Sequence, residues 1–336
     1  MKCSRGQTRM IIDDNEVLAN PRIKKKEIML NNKPLFSVTV TTYNHGDYIK
    51  STIESVLRQT IQDFEIIVID DGSPDDTLEK VLSIKDGRLR YFRQKPSGLP
   101  AYSRNRAIER SNGRYIALLD GDDIWFPEKL ERVRDVFLEH PEADIVCHDI
   151  KITGDNSKTI RRTNFGPYPK DMYKKLLLEG NSLGITTTVL KNKIFFESNF
   201  WFDEDKKLFT TEDYDFWLRL AGSGKFNFHY LPEVLAEHTV SEKSAILSNV
   251  EKNTLAMLYL FDRNMETHAR GALKGSSLFK KRRSSVMRSA ALSHNYNRDY
   301  LKSAKWFLRA LKEYPFDRNS YLGLAASLLR IKLGRI

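Results

Sequence analysis

The chain has 336 residues, 40% of them hydrophobic, 11% aromatic and 29% charged, with 17 Gly and 11 Pro. That balance builds a folded core and excludes the collagenous, low-complexity and wholly disordered classes, and the length suits roughly two domains. The net charge of +11 is unevenly placed, because Glu251 to Ile336 holds 18 Lys and Arg against 6 Asp and Glu, whereas Met1 to Val250 holds 37 against 38; a near-neutral body carries a basic C-terminal region, with a boundary near residue 250.

Residues 1–34 are mixed and polar, with a cluster at Lys24, Lys25 and Lys26 and no apolar stretch of the signal-peptide kind. They read as an N-terminal extension of a cytoplasmic chain. No apolar run is long enough to cross a bilayer. Cys3 and Cys147 lack Cys-x-x-Cys spacing, which argues against a disulfide scaffold and a zinc site. From Phe36 the pattern is regular. A strand at Phe36 to Thr41 precedes a helix with Ile49, Ile53, Val56 and Leu57 on one face. Then come a strand at Phe64 to Ile69, a helix from about Pro74 to Ser83, and a short strand at Leu89 to Phe92. A helix from about Ala101 to Ser111 and a strand at Tyr115 to Leu119 complete the series. Apolar, β-branched strands alternating with helices predict an α/β domain over residues 35–250, with a mostly parallel sheet covered on both faces. Residues 251–336 are helical in pattern. Tyr300, Ala304, Phe307, Leu308 and Leu311 share a helix face that ends near Pro315, which predicts a helical hairpin.

Ligands of such sheets bind beyond the carboxyl ends of the strands. Thr41-Thr42-Tyr43-Asn44 follows the first strand, Asp70-Asp71-Gly72-Ser73 the second and Asp120-Gly121-Asp122-Asp123 the fourth. Each cluster alone reads equally well as a turn, a helix cap or solvated surface. Several carboxylates aimed at one crevice must meet a cation or many donors. All-oxygen ligation points to a hard ion, Mg²⁺ or Mn²⁺, of the sort that accompanies phosphates.

Taken in order, these motifs resemble the inverting glycosyltransferases of family 2, bacterial polysaccharide type, whose fold is the Rossmann-like GT-A. The matching strings are TTYNHGDYIKSTIESVLRQTIQDFEIIVIDDGSPDDT, SGLPAYSRNRAIERSNGRYIALLDGDDIWFPEKL, FDEDKKLFTTEDYDFWLRLAGSGKF and an EHTVSEKSA-like end, within Phe36 to Ala245. The resemblance implies that Thr41, Tyr43, Asp71 and Asp70 hold the base and ribose of a nucleotide. Asp120 and Asp122 stand as the Asp-x-Asp pair, Asp120 on the ribose and the metal, Asp122 as a metal ligand of Mn²⁺ or Mg²⁺ that bridges a diphosphate. Asp123 either turns toward the sugar or caps the helix near Pro127. Arg104-Asn105 matches the family's Arg-Asn dipeptide, Arg104 reaching the diphosphate or a sugar. Asp213 takes the place of the general base, with Glu212 as the alternative that orients the acceptor. A carboxylate at a helix start is favoured by the dipole and weakened as a base by the N–H groups there, which a late proton transfer accommodates. His238 matches a His that completes the metal shell or touches the diphosphate. The sequence departs from the family at Ser97-Gly98-Leu99-Pro100, at Ser103, at Ala236-Glu237 and at Asn199 to Phe202.

The implied partners are a nucleotide-sugar donor, a UDP-sugar first, and a glycan or lipid-linked glycan acceptor. The basic run Lys280 to Arg283, with Arg288, is a candidate for anionic lipid headgroups and a peripheral place at the inner face of the membrane. Nucleic acid is excluded, because the strand-end crevice is acidic. Two other readings share the pocket. A binding protein without turnover is disfavoured by the presence of Asp122 and Asp213. A sugar-phosphate nucleotidyltransferase would need a Gly-rich, Arg- and Lys-bearing phosphate loop after its first strand, which is absent. The loops from Lys151 to Gly184, where specificity is expected, carry no motif.

Overall fold

In the computed structural model the described residues are 9–12, 33–154, 159–240, 250–267, 273 and 275–334. Cys3, the Lys24 to Lys26 cluster and the Ser241 to Ala245 part of the last motif lie outside them. The chain forms two compact units. The first takes residues 1–168, 182–204 and 226–241, and the second takes 169–181, 205–225 and 242–336.

The first unit is built on one sheet. Its strands are β1 (Arg9–Ile12), β2 (Phe36–Thr42), β3 (Phe64–Asp70), β4 (Leu89–Arg93), β5 (Tyr115–Asp120), β6 (Asp123–Trp125), β7 (Ile145–Gly154), β8 (Thr159–Thr163), β9 (Thr188–Lys191) and β10 (Phe228–Val240). They lie in the order β1-β4-β3-β2-β5-β9-β7-β10-β6, with β8 beside β7. The half from β1 to β5 is parallel, as the alternating pattern predicts. The half beyond is mixed: β9 runs antiparallel to β5 and β7, and β10 runs parallel to β7 and antiparallel to β6. Strand β1 comes from the stretch read as an extension and pairs residue for residue with β4.

Helices α1 (Gly46–Leu57), α2 (Thr77–Leu82), α3 (Pro100–Glu109) and α4 (Lys129–Glu139) cover the sheet, and α6 (Lys193–Phe196) is a single turn. Successive strand residues face opposite ways, and β3 shows both faces in use. Ile66 and Val68 pack with Ile49 and Ile53 of α1, Val81 of α2 and Leu130 and Val133 of α4. Ile67 and Ile69 pack instead with Phe92 of β4 and Ala107 of α3. A strand buried on both sides leaves only its carboxyl end for polar side chains.

The second unit holds α5 (Met172–Glu179), α7 (Glu212–Ser223), α8 (Val250–Thr267), α9 (Ser277–Tyr296), α10 (Tyr300–Glu313) and α11 (Arg318–Leu328). Side-chain caps start three of them: Asp171 accepts from Lys174 N–H, Ser276 from Phe279 and Asp299 from Lys302. Among the described residues four C-terminal helices stand where a hairpin is expected. Met287, Ala290, Ala291, Trp306, Phe307 and Ala310 form their core, and the alanines let α9 and α10 approach closely. Leu308 does not join that core; it is 55% exposed. Lys280 and Lys281 of the basic run are exposed, whereas Arg283 bonds Glu313 at 3.0 Å and Asp262 at 2.5 Å, and Arg288 pairs with Asp317. Two guanidinium groups tie α9 to α8, to the end of α10 and to the start of α11. Among the described residues no helix is long and apolar enough to cross a membrane.

Candidate active site

Three polar loops meet at the carboxyl edge of β2, β3 and β5. The parallel register sets Thr41 beside Asp120 and Thr42 beside Asp70. Asp70 is fully buried and its carboxylate is spent inside the protein. It accepts from Ser73 N–H at 2.8 Å, from Ser73 Oγ at 2.6 Å and from Tyr91 Oη at 2.5 Å. Burial and the neighbouring carboxylate push the Tyr91 phenol well above its ordinary range, so it stays a donor. The effect is to lock the turn that follows. Gly72 sits in that turn at φ +78°, where a Cβ would stand 2.6 Å from the Pro96 ring.

Asp71, the next residue, organises the loop after β4. Its two oxygens accept from Gln94 Nε2, from Ser97 N–H and Oγ, and from Gly98 N–H, at 2.7 to 3.0 Å. The Ser97-Gly98 departure from the family pattern is therefore the partner of Asp71. Tyr43, at the end of β2, is 52% exposed and open to a planar ligand.

Arg104 is 8% exposed, lies on α3 and donates from Nη2 to Asp120 Oδ1 at 3.1 Å, and Thr41 Oγ1 lies 3.4 Å from the same oxygen. Asn105, its neighbour, clamps the backbone of Phe202 from both sides: Nδ2 donates to the Phe202 carbonyl at 2.9 Å and Oδ1 accepts its N–H at 3.0 Å. Phe202 is 2% exposed, so this aromatic of the 199–202 stretch is core.

The Asp120 to Asp123 loop is the electrostatic centre of the first unit. Gly121 lies so close to Thr42 that a Cβ would stand 2.8 Å from its Cβ and Oγ1. Burial, together with the charges of Asp123 and Asp120, pushes the Asp122 carboxyl up to about 6, against the pull of His45 and His238. His45 Nε2 lies 3.9 Å from Asp122 Oδ2. Asp123 is 3% exposed and caps no helix, since the residue before α4 is Glu128. It sits in β6 opposite His238 of β10 and holds His238 Nδ1 at 2.5 Å. Burial works to lower the His238 pKa, and the hydrogen bond and charge of Asp123, with Asp122 and Asp120 behind it, outweigh burial and raise it to about 9.

Three residues of this region had no sequence signal. Thr186 donates from Oγ1 to Asp123 Oδ2 and accepts from the Asp120 N–H at 3.3 Å, bridging the two ends of the acidic loop. Its carbonyl accepts from Lys129 Nζ at 2.5 Å and Trp125 Nε1 at 3.1 Å. Lys129 is fully buried over the Trp125 ring, and burial holds its pKa well below the usual lysine value. His45 is the third.

The donor set fits a divalent cation of one kind. Among the described residues no group of three His, Cys, Asp or Glu stands ready to hold a metal. An ion that takes one or two carboxylates plus phosphate and water suits Asp122 and Asp120. Relief of the crowding that raises the Asp122 pKa would favour such an ion. At His238 only Nε2 is left for a ligand, and a metal there would first displace its proton.

Asp213 and Glu212 belong to the second unit. They open α7, whose Phe216, Trp217 and Leu220 are all buried as their spacing predicts. Asp213 accepts from Asn181 Nδ2 at 3.1 Å and from the Tyr214 N–H at 2.7 Å, while Glu212 is 6% exposed. Asp215, fully buried one turn in, is neutralised by Arg219 at 2.6 Å.

Comparison with known proteins names the assembly. The family profile described as Glycosyl transferase family 2 matches residues 37–201, which takes in the β2, β3 and β5 loops. The chain carries a family 2 glycosyltransferase domain. It is 29% identical over 238 residues to the UDP-Glc:alpha-D-GlcNAc-diphosphoundecaprenol beta-1,3-glucosyltransferase WfgD of Escherichia coli, covering 67% of this chain and 90% of that one. Among solved structures, S. aureus TarS 1-349 in complex with UDP-GlcNAc superposes with a TM-score of 0.60 at 18% identity, covering 88% of both chains. The mannosyltransferase PcManGT of Pyrobaculum calidifontis, in complex with GDP-Man and Mn²⁺, superposes with a TM-score of 0.55 at 14% identity, covering 89% of this chain and 81% of that one. The glycosyltransferase fold is therefore GT-A, with a set of C-terminal helices added.

Proposed function

We propose that the protein transfers a sugar from a nucleotide-diphosphate sugar, a UDP-sugar first, to a hydroxyl of a glycan or lipid-linked glycan, with inversion, in the synthesis of a bacterial surface polysaccharide. The observation that carries this is the convergence of Thr41, Arg104, Asp120, Asp122, Asp123 and His238 at one sheet edge. The relatives named above support the choice of donor and acceptor class. Tyr43 and Asp71 take the base and ribose, with Asp70 fixing the turn between them. Arg104 holds Asp120 in place beside the diphosphate. Asp122 and Asp120 would hold Mn²⁺ or Mg²⁺, which when bound offsets the charge growing on the departing diphosphate. His238 completes that shell or donates to the diphosphate. Asp213 takes the proton of the acceptor hydroxyl as that oxygen attacks, and Glu212 orients the acceptor. We assign transfer to residues 35–250 and location, in the cytoplasm at the inner face of the membrane, to residues 251–336.

The test is a panel of sugar nucleotides incubated with and without Mn²⁺, read as release of nucleoside diphosphate and as the anomeric configuration of the product. Metal-dependent release should fall by at least about a hundredfold in Asp122→Asn and Asp213→Asn. Retained turnover in both variants would refute the assigned roles.

A further inference from the structure

α11 is apolar on both sides. Gly323 and Ala326 face inward and are buried, while Tyr321, Leu322 and Leu328 stand outward at 53, 71 and 70% exposure. Leu329 at 71% and Ile331 at 52% continue the exposed face beyond the helix, and Phe316 at 79% precedes it. A helix without a polar side is ordinarily a buried one, and a contiguous exposed apolar face marks a partner.

The neighbouring charge says which partner. From Tyr300 to Gly334 the chain carries seven Lys and Arg against two acids, Glu313 and Asp317, and both acids are tied to Arg283 and Arg288 of α9. Arg318, Arg330 and Lys332 flank the apolar residues and are exposed. On α10 the outward stripe reads Leu301, Lys305, Leu308, Lys312, all exposed and spaced along one face. A second copy of this chain, docked through the same patch about a two-fold axis, would set these cations against themselves. An anionic lipid surface satisfies both features, with acyl chains for the leucines and phosphates for the lysines and arginines, whose stems reach back to the headgroups.

We infer that the exposed face of α11 and the segment to Lys332, together with the outward stripe of α10, is the surface by which the protein sits on an anionic membrane. This gives a specific surface to the peripheral location proposed above and rests on that reading. It places the contact on α10 and α11 rather than on the Lys280 to Arg283 run, whose Arg283 is engaged in internal ion pairs with Asp262 and Glu313.

The experiment is flotation of the full-length chain with phosphatidylcholine vesicles, with and without phosphatidylglycerol, in low and high salt. The anionic vesicles should recruit the protein and salt should weaken recruitment. Leu322→Glu with Leu328→Glu, or Lys305→Glu with Lys312→Glu, should lower the bound-to-free ratio by about tenfold or more. Lys280→Glu with Lys281→Glu should lower it much less. All these positions are exposed, so circular dichroism and the thermal midpoint should not change. Recruitment that is absent, indifferent to phosphatidylglycerol, or untouched by the α10 and α11 variants overturns the proposal. So does a light-scattering mass that shows a dimer broken by Leu322→Glu with Leu328→Glu. Nucleotide-sugar turnover without vesicles separates the two readings: if it persists while flotation fails, only the surface is wrong.

Discussion

Replacing Thr186 by valine keeps the shape of the side chain and removes one hydroxyl. That hydroxyl donates to the Asp123 carboxylate and accepts the Asp120 N–H. Asp123 is 3% exposed, so water cannot take the vacated position. A hydrogen bond to a charged group contributes about 1.5–3 kcal/mol, and an orphaned buried N–H costs roughly 1 kcal/mol more. His238 still holds the other Asp123 oxygen, which keeps the loss near the middle of that range. Thr186→Val should therefore lower the unfolding free energy by about 2–4 kcal/mol, while Thr186→Ser keeps most of it. Urea unfolding followed by tryptophan fluorescence measures this as a shifted midpoint at unchanged slope. Because the same hydroxyl spans both ends of the acidic loop, nucleoside diphosphate affinity should fall by about tenfold in the valine variant and recover in the serine variant. A stability loss under about 0.5 kcal/mol with affinity unchanged would refute the bridging role.

Three further expectations use other parts of the molecule. Tyr91→Phe removes a donor to the buried Asp70 carboxylate and should cost about 1.5–3 kcal/mol in the same urea assay. Gly121→Ala puts a methyl group 2.8 Å from Thr42, so it should cost about 1–3 kcal/mol and weaken donor binding, measured by calorimetric titration. At Asp317 burial acts to raise the pKa, but the hydroxyls of Ser320 and Ser284 and the Arg288 guanidinium bring it below its ordinary value. A folded-state pKa below the unfolded one contributes stability above the unfolded value of 3.8 and loses it as pH falls through the lowered value. The stability advantage of wild type over Asp317→Asn should accordingly be present at neutral pH and shrink below about pH 4, as read by urea unfolding across pH.

The parallel half of the sheet was legible because each strand is a short β-branched run bounded by turn residues, and its register then follows from burial on both faces. Asp70, Asp71, Asp120 and Asp122 were legible for the same reason: they stand directly after such runs. What periodicity could not carry was pairing between distant segments. His238 meets Asp123 only because β10 runs antiparallel to β6, a pairing across more than a hundred residues. Thr186 belongs to a threonine run that reads as plain strand, and Lys129 is a charged residue that a surface helix normally turns outward. Strand β1 was missed because four residues, Arg9 to Ile12, are too short to stand out from a polar stretch. In the C-terminal region Leu308 fitted the spacing of a buried face, yet α10 buries a face centred on Phe307 and Trp306 and turns Leu308 outward. The basic run looked like a patch because sequence shows Arg283 and Arg288 without Asp262, Glu313 and Asp317, which the helix packing brings to them.

The central claim is that the acidic loop of β5 and β6 receives a cation together with a diphosphate. Calorimetric titration of nucleoside diphosphate into the full-length protein, with Mn²⁺ and with chelator, tests it most directly. Tight binding that needs Mn²⁺, and that Asp122→Asn abolishes while leaving the unfolding midpoint in place, is the predicted result. Equal affinity with and without the ion, or equal affinity in Asp122→Asn, would contradict the account.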